Sequence, residues 1–154
     1  MQRFRITAVA AAVVFAGVAL AQSGIAEAQC SPTLSASYAA PSVAEGYVAR
    51  LVANNLTSPR GIMFDSQGAL LVVEKGVGIT ALSLVDAGRG CISVGSRKSV
   101  VTDAELNHGI EMSPNGSTLF ASTSDILYSW DYSPQQQTNT SEPRVLITEM
   151  VSPH

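Results

Sequence analysis

Histidine, cysteine and grouped positive charge are all scarce in this chain. Its 154 residues include 2 histidines and 2 cysteines. Neither cysteine stands in a Cys-x-x-Cys pair, so a structural zinc site, which takes four such ligands, has no support. Lysine and arginine number 9 against 12 aspartates and glutamates, for a net charge of −3. They form no cluster of the kind a phosphate backbone requires, so nucleic acid is not an expected partner. Also missing is any long stretch of 3.6-residue apolar period, and with it any amphipathic membrane-surface helix. Beyond the N-terminus the apolar runs are short, β-branched and broken by Gly, Pro, Asn and Ser, the pattern of strands and turns. The expected fold class is all-β.

The one long apolar run, Ile6 to Ala21, follows the basic residues Arg3 and Arg5 and reads as a secretory signal. It is shorter than the ~20 residues that comfortably span a bilayer, so no membrane association is expected once the signal is removed. Small-residue cleavage sites follow Ala21 and Ala28. The second is preferred, because polar residues lead into it. That division gives a leader over 1–28, an extension over 29–46 and a domain over 47–154, with an extracellular destination. In that oxidising setting Cys30 and Cys91 are candidates for a single disulfide tying the N-terminal tail to a later loop. Asn-x-Ser/Thr sequons at Asn55, Asn115 and Asn139 would each mark a surface loop in a secreted eukaryotic chain. The polar stretch QQQTNTSEP puts Asn139 ahead of the other two.

Laying the chain on itself exposes a repeat. RGIMFDSQGALLVVE from Arg60 aligns without gaps to HGIEMSPNGSTLFAS from His108, forty-eight residues on. Gly61 meets Gly109, Ile62 meets Ile110, Gly68 meets Gly116 and Leu71 meets Leu119. Each copy predicts a short strand (Ile62 to Phe64; Ile110 to Met112), a tight turn, and a second strand (Ala69 to Glu74; Thr118 to Ser122). A third strand (Ile79 to Leu84; Ile126 to Tyr132) and a fourth (Ser99 to Thr102; Val145 to Thr148) complete it. Four antiparallel strands per forty to fifty residues is the period of a β-propeller blade, here over 60–102 and 108–148. Ser152-Pro153-His154 echoes Ser58-Pro59-Arg60 where a third copy would begin. A propeller closes with about four to eight blades, whereas this chain holds about two and the outer strand leading into the first. It reads as the N-terminal piece of a longer protein, expected to aggregate or stay molten alone because sheet faces lack their neighbours.

Arg60 and His108 hold the same slot, just before the innermost strand of adjacent blades and near the mouth of the central channel. An imidazole ordinarily titrates near neutral pH and can take a proton from a hydroxyl, while a guanidinium can hold a carboxylate through two parallel hydrogen bonds. A strand-capping histidine and a loop-packing arginine are the alternatives. Glu74 and Lys75 are expected in an exposed turn on the same rim, and Tyr128 and Trp130 are expected to pack.

LTSPRGIMFDSQGALLVVEKGVGI followed by LNHGIEMSPNGSTLFASTSDILYSWDY resembles the secreted fungal pyranose dehydrogenases that use pyrroloquinoline quinone, also described as sorbosone dehydrogenase-like. They are distant relatives of soluble quinoprotein glucose dehydrogenases. The resemblance runs from about Tyr47 to the C-terminus. It implies a six-bladed propeller with the quinone and a calcium ion in its funnel, and oxidation of a sugar hydroxyl by base-assisted hydride transfer. It further implies His108 as general base, Arg60 facing the quinone, a small sugar as substrate and a cytochrome as possible electron acceptor. Because later blades would supply most contacts, the chain by itself is expected to be inactive. A gluconolactonase-like hydrolase on the same scaffold would instead carry acidic residues at the inner-strand slots. A non-catalytic binding propeller would use its rim loops alone.

Overall fold

The structure is a computed structural model and describes Cys30 and residues 34–150. The expected leader and the echo at 152–154 lie outside the described residues. Two antiparallel sheets account for every strand among them. In the first, β1 (Pro59–Phe64), β2 (Leu70–Glu74), β3 (Gly78–Asp86) and β4 (Ile92–Thr102) lie side by side in chain order. In the second, β5 (Ile110–Met112), β6 (Thr118–Ser122) and β7 (Leu127–Ser133) repeat that order. The outer edge of β7 then takes two short strands, β8 (Thr138–Asn139) and β9 (Arg144–Ile147). These are the two expected propeller blades.

The fourth strand of each blade departs most from the sequence expectation, for local reasons. In blade 1 the fourth strand is far longer than Ser99 to Thr102. A tight turn, with Ala87 N–H on the Cys91 carbonyl at 2.9 Å and Gly88 and Gly90 at positive φ, folds β4 straight back along β3, and two register shifts absorb its twist. In blade 2 the outer strand is broken instead. Pro143 has no N–H to give the ladder. Between the halves, the Ser141 hydroxyl takes the Asp131 N–H at 2.9 Å.

The gapless repeat also fails inside the first turn. In blade 1, Phe64 pairs with Leu70, whereas in blade 2, Met112 pairs with Leu119. One extra residue has therefore entered the second turn, at Ser117. The hydrogen bonds locate it: Asp65 N–H reaches the Ala69 carbonyl, but Ser113 N–H reaches Thr118, both at 2.9 Å. Leu119 thus corresponds to Leu70 rather than Leu71, and the two faces of β6 are exchanged relative to the letter-by-letter alignment.

Residues directly opposite in an antiparallel pair share a face. Met63, Leu71 and Ala81 therefore lie on one face of blade 1, and Met112, Leu119 and Trp130 on one face of blade 2. Those faces meet in the core, where Leu71, Val73, Ile79 and Ala81 pack with Leu119, Ala121, Trp130 and Tyr132, sealed by Leu106 from the connecting loop. Trp130 and Tyr128 do pack there, their rings 5.6 Å apart. Each large apolar side chain buried this way contributes roughly 1.5–3 kcal/mol. The outer turn of blade 2 reaches back across blade 1, where Lys98 Nζ donates to the Gln136 carbonyl at 2.7 Å and Ser83 Oγ to Gln137 Oε1 at 2.9 Å.

On the far face of blade 1, Val72 and Leu82 are also buried, yet Ile62 and Phe64 stay 65% and 62% exposed. Among the described residues the expected outer strand leading into the blade is not formed: the segment before Pro59 joins no sheet, and side chains make most of its contacts with the blade. Arg97 Nη1 and Nη2 donate to the carbonyls of Asn55 and Asn54, and Glu74 takes the Thr57 N–H. A Cys30–Cys91 disulfide, with Cα atoms 5.2 Å apart, closes a loop over a separation of 61 residues. By chain entropy such a closure is worth about 4 kcal/mol.

Candidate functional site

The two candidate residues come together through a glycine. Gly61 has no side chain because there is no room for one: a Cβ built there would lie 2.2 Å from the His108 carbonyl oxygen and 3.2 Å from Ile110 Cγ2. The innermost strands of the two blades therefore touch at the end where Arg60 and His108 stand. Both side chains are exposed, and neither makes a hydrogen bond to another described residue.

Their backbones differ more than the repeat suggests. Arg60 lies within β1 rather than ahead of it, since Pro59 already pairs with Glu74 and the register shifts before Ile62. His108 precedes β5 by two residues and is bracketed by Ser122. Asn107 N–H donates to the Ser122 carbonyl and Ser122 N–H to the Gly109 carbonyl, each at 3.2 Å. A Cβ on Gly109 would meet Ser122 Oγ at 2.5 Å. The imidazole therefore projects from a backbone fixed by two hydrogen bonds and two close approaches.

Around this end the loops are knitted together. Lys75 N–H bonds the Ser58 carbonyl at 3.3 Å, Gly76 N–H the Ala104 carbonyl at 3.2 Å, and Asp103 N–H the Val77 carbonyl at 3.2 Å. Blade 2 repeats the last of these with Met150 N–H on the Asp125 carbonyl at 3.0 Å. Lys75 is exposed as expected, but Glu74 is not in an exposed turn. It is 6% exposed with its carboxylate on the Thr57 N–H, which makes it a brace for the loop entering β1. Its counterpart Thr123 is buried too and bonds the N–H groups of Asp125 and Ile126 through its hydroxyl.

A buried polar contact between the blades escaped sequence reasoning. Asp65 is buried, its Oδ1 accepting the N–H groups of Gln67 and Ala69 and its Oδ2 the Tyr132 hydroxyl, all at 2.9 Å. Burial first, and then this bond to a carboxylate, push the Tyr132 phenol up from its ordinary value. The available signal was Asp65 itself, an Asx-turn residue at the repeat position where blade 2 has Ser113. The remaining candidates lie away from the Arg60 and His108 end. Asn55 is exposed on the N-terminal segment, Asn115 is exposed in the β5–β6 turn, and Asn139 is half-buried in β8.

Comparison with known proteins supplies the context. A family model described as TrAA12-like matches residues 41–154. A pyrroloquinoline quinone-dependent sugar dehydrogenase of Hypocrea jecorina is 42% identical over 122 residues, covering 77% of this chain and 28% of the relative. A pyrroloquinoline quinone-dependent pyranose dehydrogenase of Coprinopsis cinerea is 46% identical over 108 residues, covering 70% of this chain and 14% of the relative. Among solved structures, the calcium structure of the Trichoderma reesei family AA12 carbohydrate-active enzyme superposes with a TM-score of 0.75 at 39% identity, over 80% of this chain and 31% of that one. The holo form of the Coprinopsis cinerea pyranose dehydrogenase PQQ domain gives 0.71 at 42% identity, over 80% and 29%. The chain spans less than a third of the length of each of these proteins.

Proposed function

Since this chain belongs to the TrAA12-like family, we propose that it forms two blades of a secreted quinoprotein that oxidises a pyranose or related sugar hydroxyl. The observation that carries the reading is the contact of Gly61 with the His108 carbonyl. It sets a cation and a potential base at one end of the molecule, where the two blades touch.

The described residues fit a carboxylate-bearing quinone in part. The exposed Arg60 guanidinium, with no partner among them, can hold a carboxylate through two parallel hydrogen bonds. They do not by themselves fit calcium: no three His, Cys, Asp or Glu come together among the described residues. When bound, the quinone supplies the hydride acceptor. The role assigned to this chain is to take the hydroxyl proton on the His108 imidazole, which spares the substrate a protonated carbonyl, and to orient the cofactor through Arg60. A cytochrome as electron acceptor belongs to the same reading.

The test is His108→Ala in the longer protein that carries this segment. A positioned base contributes roughly 10²–10⁴-fold, so sugar-dependent dye reduction should fall by that factor while quinone absorbance on reconstitution is retained. Turnover near wild type would remove the base role. Secretion is tested separately by expressing the native leader in a fungal host and sequencing the mature N-terminus, which should begin at Gln29.

A further inference from the structure

The Asn115 turn differs from its counterpart in blade 1 by the inserted Ser117, and the insertion changes what the turn offers. In blade 1 the Asp65 carboxylate gathers the N–H groups of Gln67 and Ala69. In blade 2 that task is divided. Ser113 Oγ takes the Thr118 N–H at 2.9 Å, and Asn115 Oδ1 accepts three donors, Ser113 Oγ at 2.6 Å, Ser117 Oγ at 2.9 Å and Ser117 N–H at 3.2 Å. The amide oxygen is saturated and the plane of the amide is fixed. Its nitrogen has no acceptor among the described residues, and the residue is exposed. The turn stands at the far end of β5 from His108, with Gly116 against the corresponding turn of blade 1 at Ser66.

We propose that Asn115 carries an N-linked glycan in the secreted protein. Asn115-Gly116-Ser117 is a sequon, and here the sequon's own hydroxyl already donates to the amide oxygen. In the transfer, Nδ2 attacks the anomeric carbon of a lipid-pyrophosphate-linked oligosaccharide. A carbon–nitrogen bond forms, the bond from the sugar to pyrophosphate breaks, and Nδ2 gives one proton to a base of the transferring enzyme. None of the three hydrogen bonds to Oδ1 is lost, so the folded turn accommodates the product unchanged. The sequence favoured Asn139, but that side chain is half-buried in β8 beside Trp130 and Glu142, with Nδ2 directed at the Ser141 carbonyl at 3.4 Å. Asn55 is exposed, but its own backbone carbonyl is held by Arg97, and no bond joins its amide to the Thr57 hydroxyl. The glycan at Asn115 would project from the rim opposite the proposed channel mouth and leave that mouth open.

This inference rests on passage through the secretory route, so a host leader placed ahead of Gln29 tests it apart from the native signal. Protein from yeast lysate and medium is treated with peptide N-glycosidase in heavy-oxygen water, which labels formerly glycosylated asparagines and sets them apart from spontaneous deamidation. Most of the Asn115 peptide should carry the label. Asn115→Gln and Ser117→Ala should each remove one glycan step on a gel, and Ser117→Thr, which keeps the sequon, should restore it. An unlabelled Asn115 peptide, or an unchanged gel pattern for Ser117→Ala, would overturn the proposal, as would a label confined to Asn139 or Asn55.

Discussion

Ile62 in blade 1 and Ile110 in blade 2 hold the same place, one residue past a glycine on the innermost strand. Ile110 packs against the core between the sheets, whereas Ile62 is 65% exposed. Met63 and Glu111 show the reverse: Met63 packs against that core, while Glu111 is exposed and turns its carboxylate to the Met112 N–H. Each blade thus has a leading and a trailing face, and only the trailing face of blade 1 and the leading face of blade 2 are joined here. Strand order comes from the repeat, but burial comes from the neighbour. Position in the repeat alone therefore predicts little about what a substitution costs.

Leu71 and Leu119, which the letters align, stand on opposite sides of one core. In the longer protein proposed above, each change to alanine should destabilise by about 3 kcal/mol, within the range for buried leucines. Because both side chains belong to the same cluster, the double variant should depart from additivity by roughly 0.5–3 kcal/mol. Urea unfolding of the four proteins measures this. Strict additivity would mean that the leucines sit in separate layers one blade apart, as the gapless alignment implies, and that the slip at Ser117 is wrong.

A second, smaller effect tests the polar link between blades. Tyr132→Phe removes a hydroxyl that bonds the buried Asp65 carboxylate and should cost about 2 kcal/mol, as expected for a hydrogen bond to a charged group. Its pH dependence has a definite sign. The folded-state pKa is raised, so the stability contributed is fully present below the unfolded phenol's value of about 10. It is lost progressively as pH rises above that value toward the folded one, because the unfolded chain releases its proton first. The wild-type protein should therefore show an alkaline decline in urea midpoint that Tyr132→Phe largely lacks. Equal slopes above pH 10 would show that Tyr132 is not buried against Asp65.

Much of this was legible in sequence because it is local. The glycines and polar residues of each β1–β2 type turn, the alternation along β6 and the spacing of copies all follow from short-range chemistry. The features that escaped are long-range. Nothing near Tyr132 marks it as the partner of a residue 67 positions earlier, and nothing near Glu74 marks it for Thr57. At the candidate site the residue types and their common end could be read, but not that Gly61 must be bare to admit the His108 carbonyl. The slip at Ser117 was hidden because Leu70 and Leu71 are identical letters, so a one-residue shift that exchanges faces left the alignment looking intact.

The smallest expected effect returns to Ile62 and Ile110 and depends on what covers blade 1. In this chain alone Ile62→Ser removes no packed contact with the core, and an exposed substitution of this kind stays within about 0.5 kcal/mol. Its measurable consequence should be reduced binding of a hydrophobic dye, more so when combined with Phe64→Ser, because the bare face loses its apolar area. In the proposed longer protein the same Ile62→Ser should become as costly as Ile110→Ser, since a closing blade would give Ile62 the neighbour that Ile110 already has. Comparing urea midpoints of the two variants in that protein decides the matter. If Ile62→Ser remains neutral there while Ile110→Ser does not, the leading face of blade 1 stays open, and the blades do not close into a ring through Ile62 and Phe64.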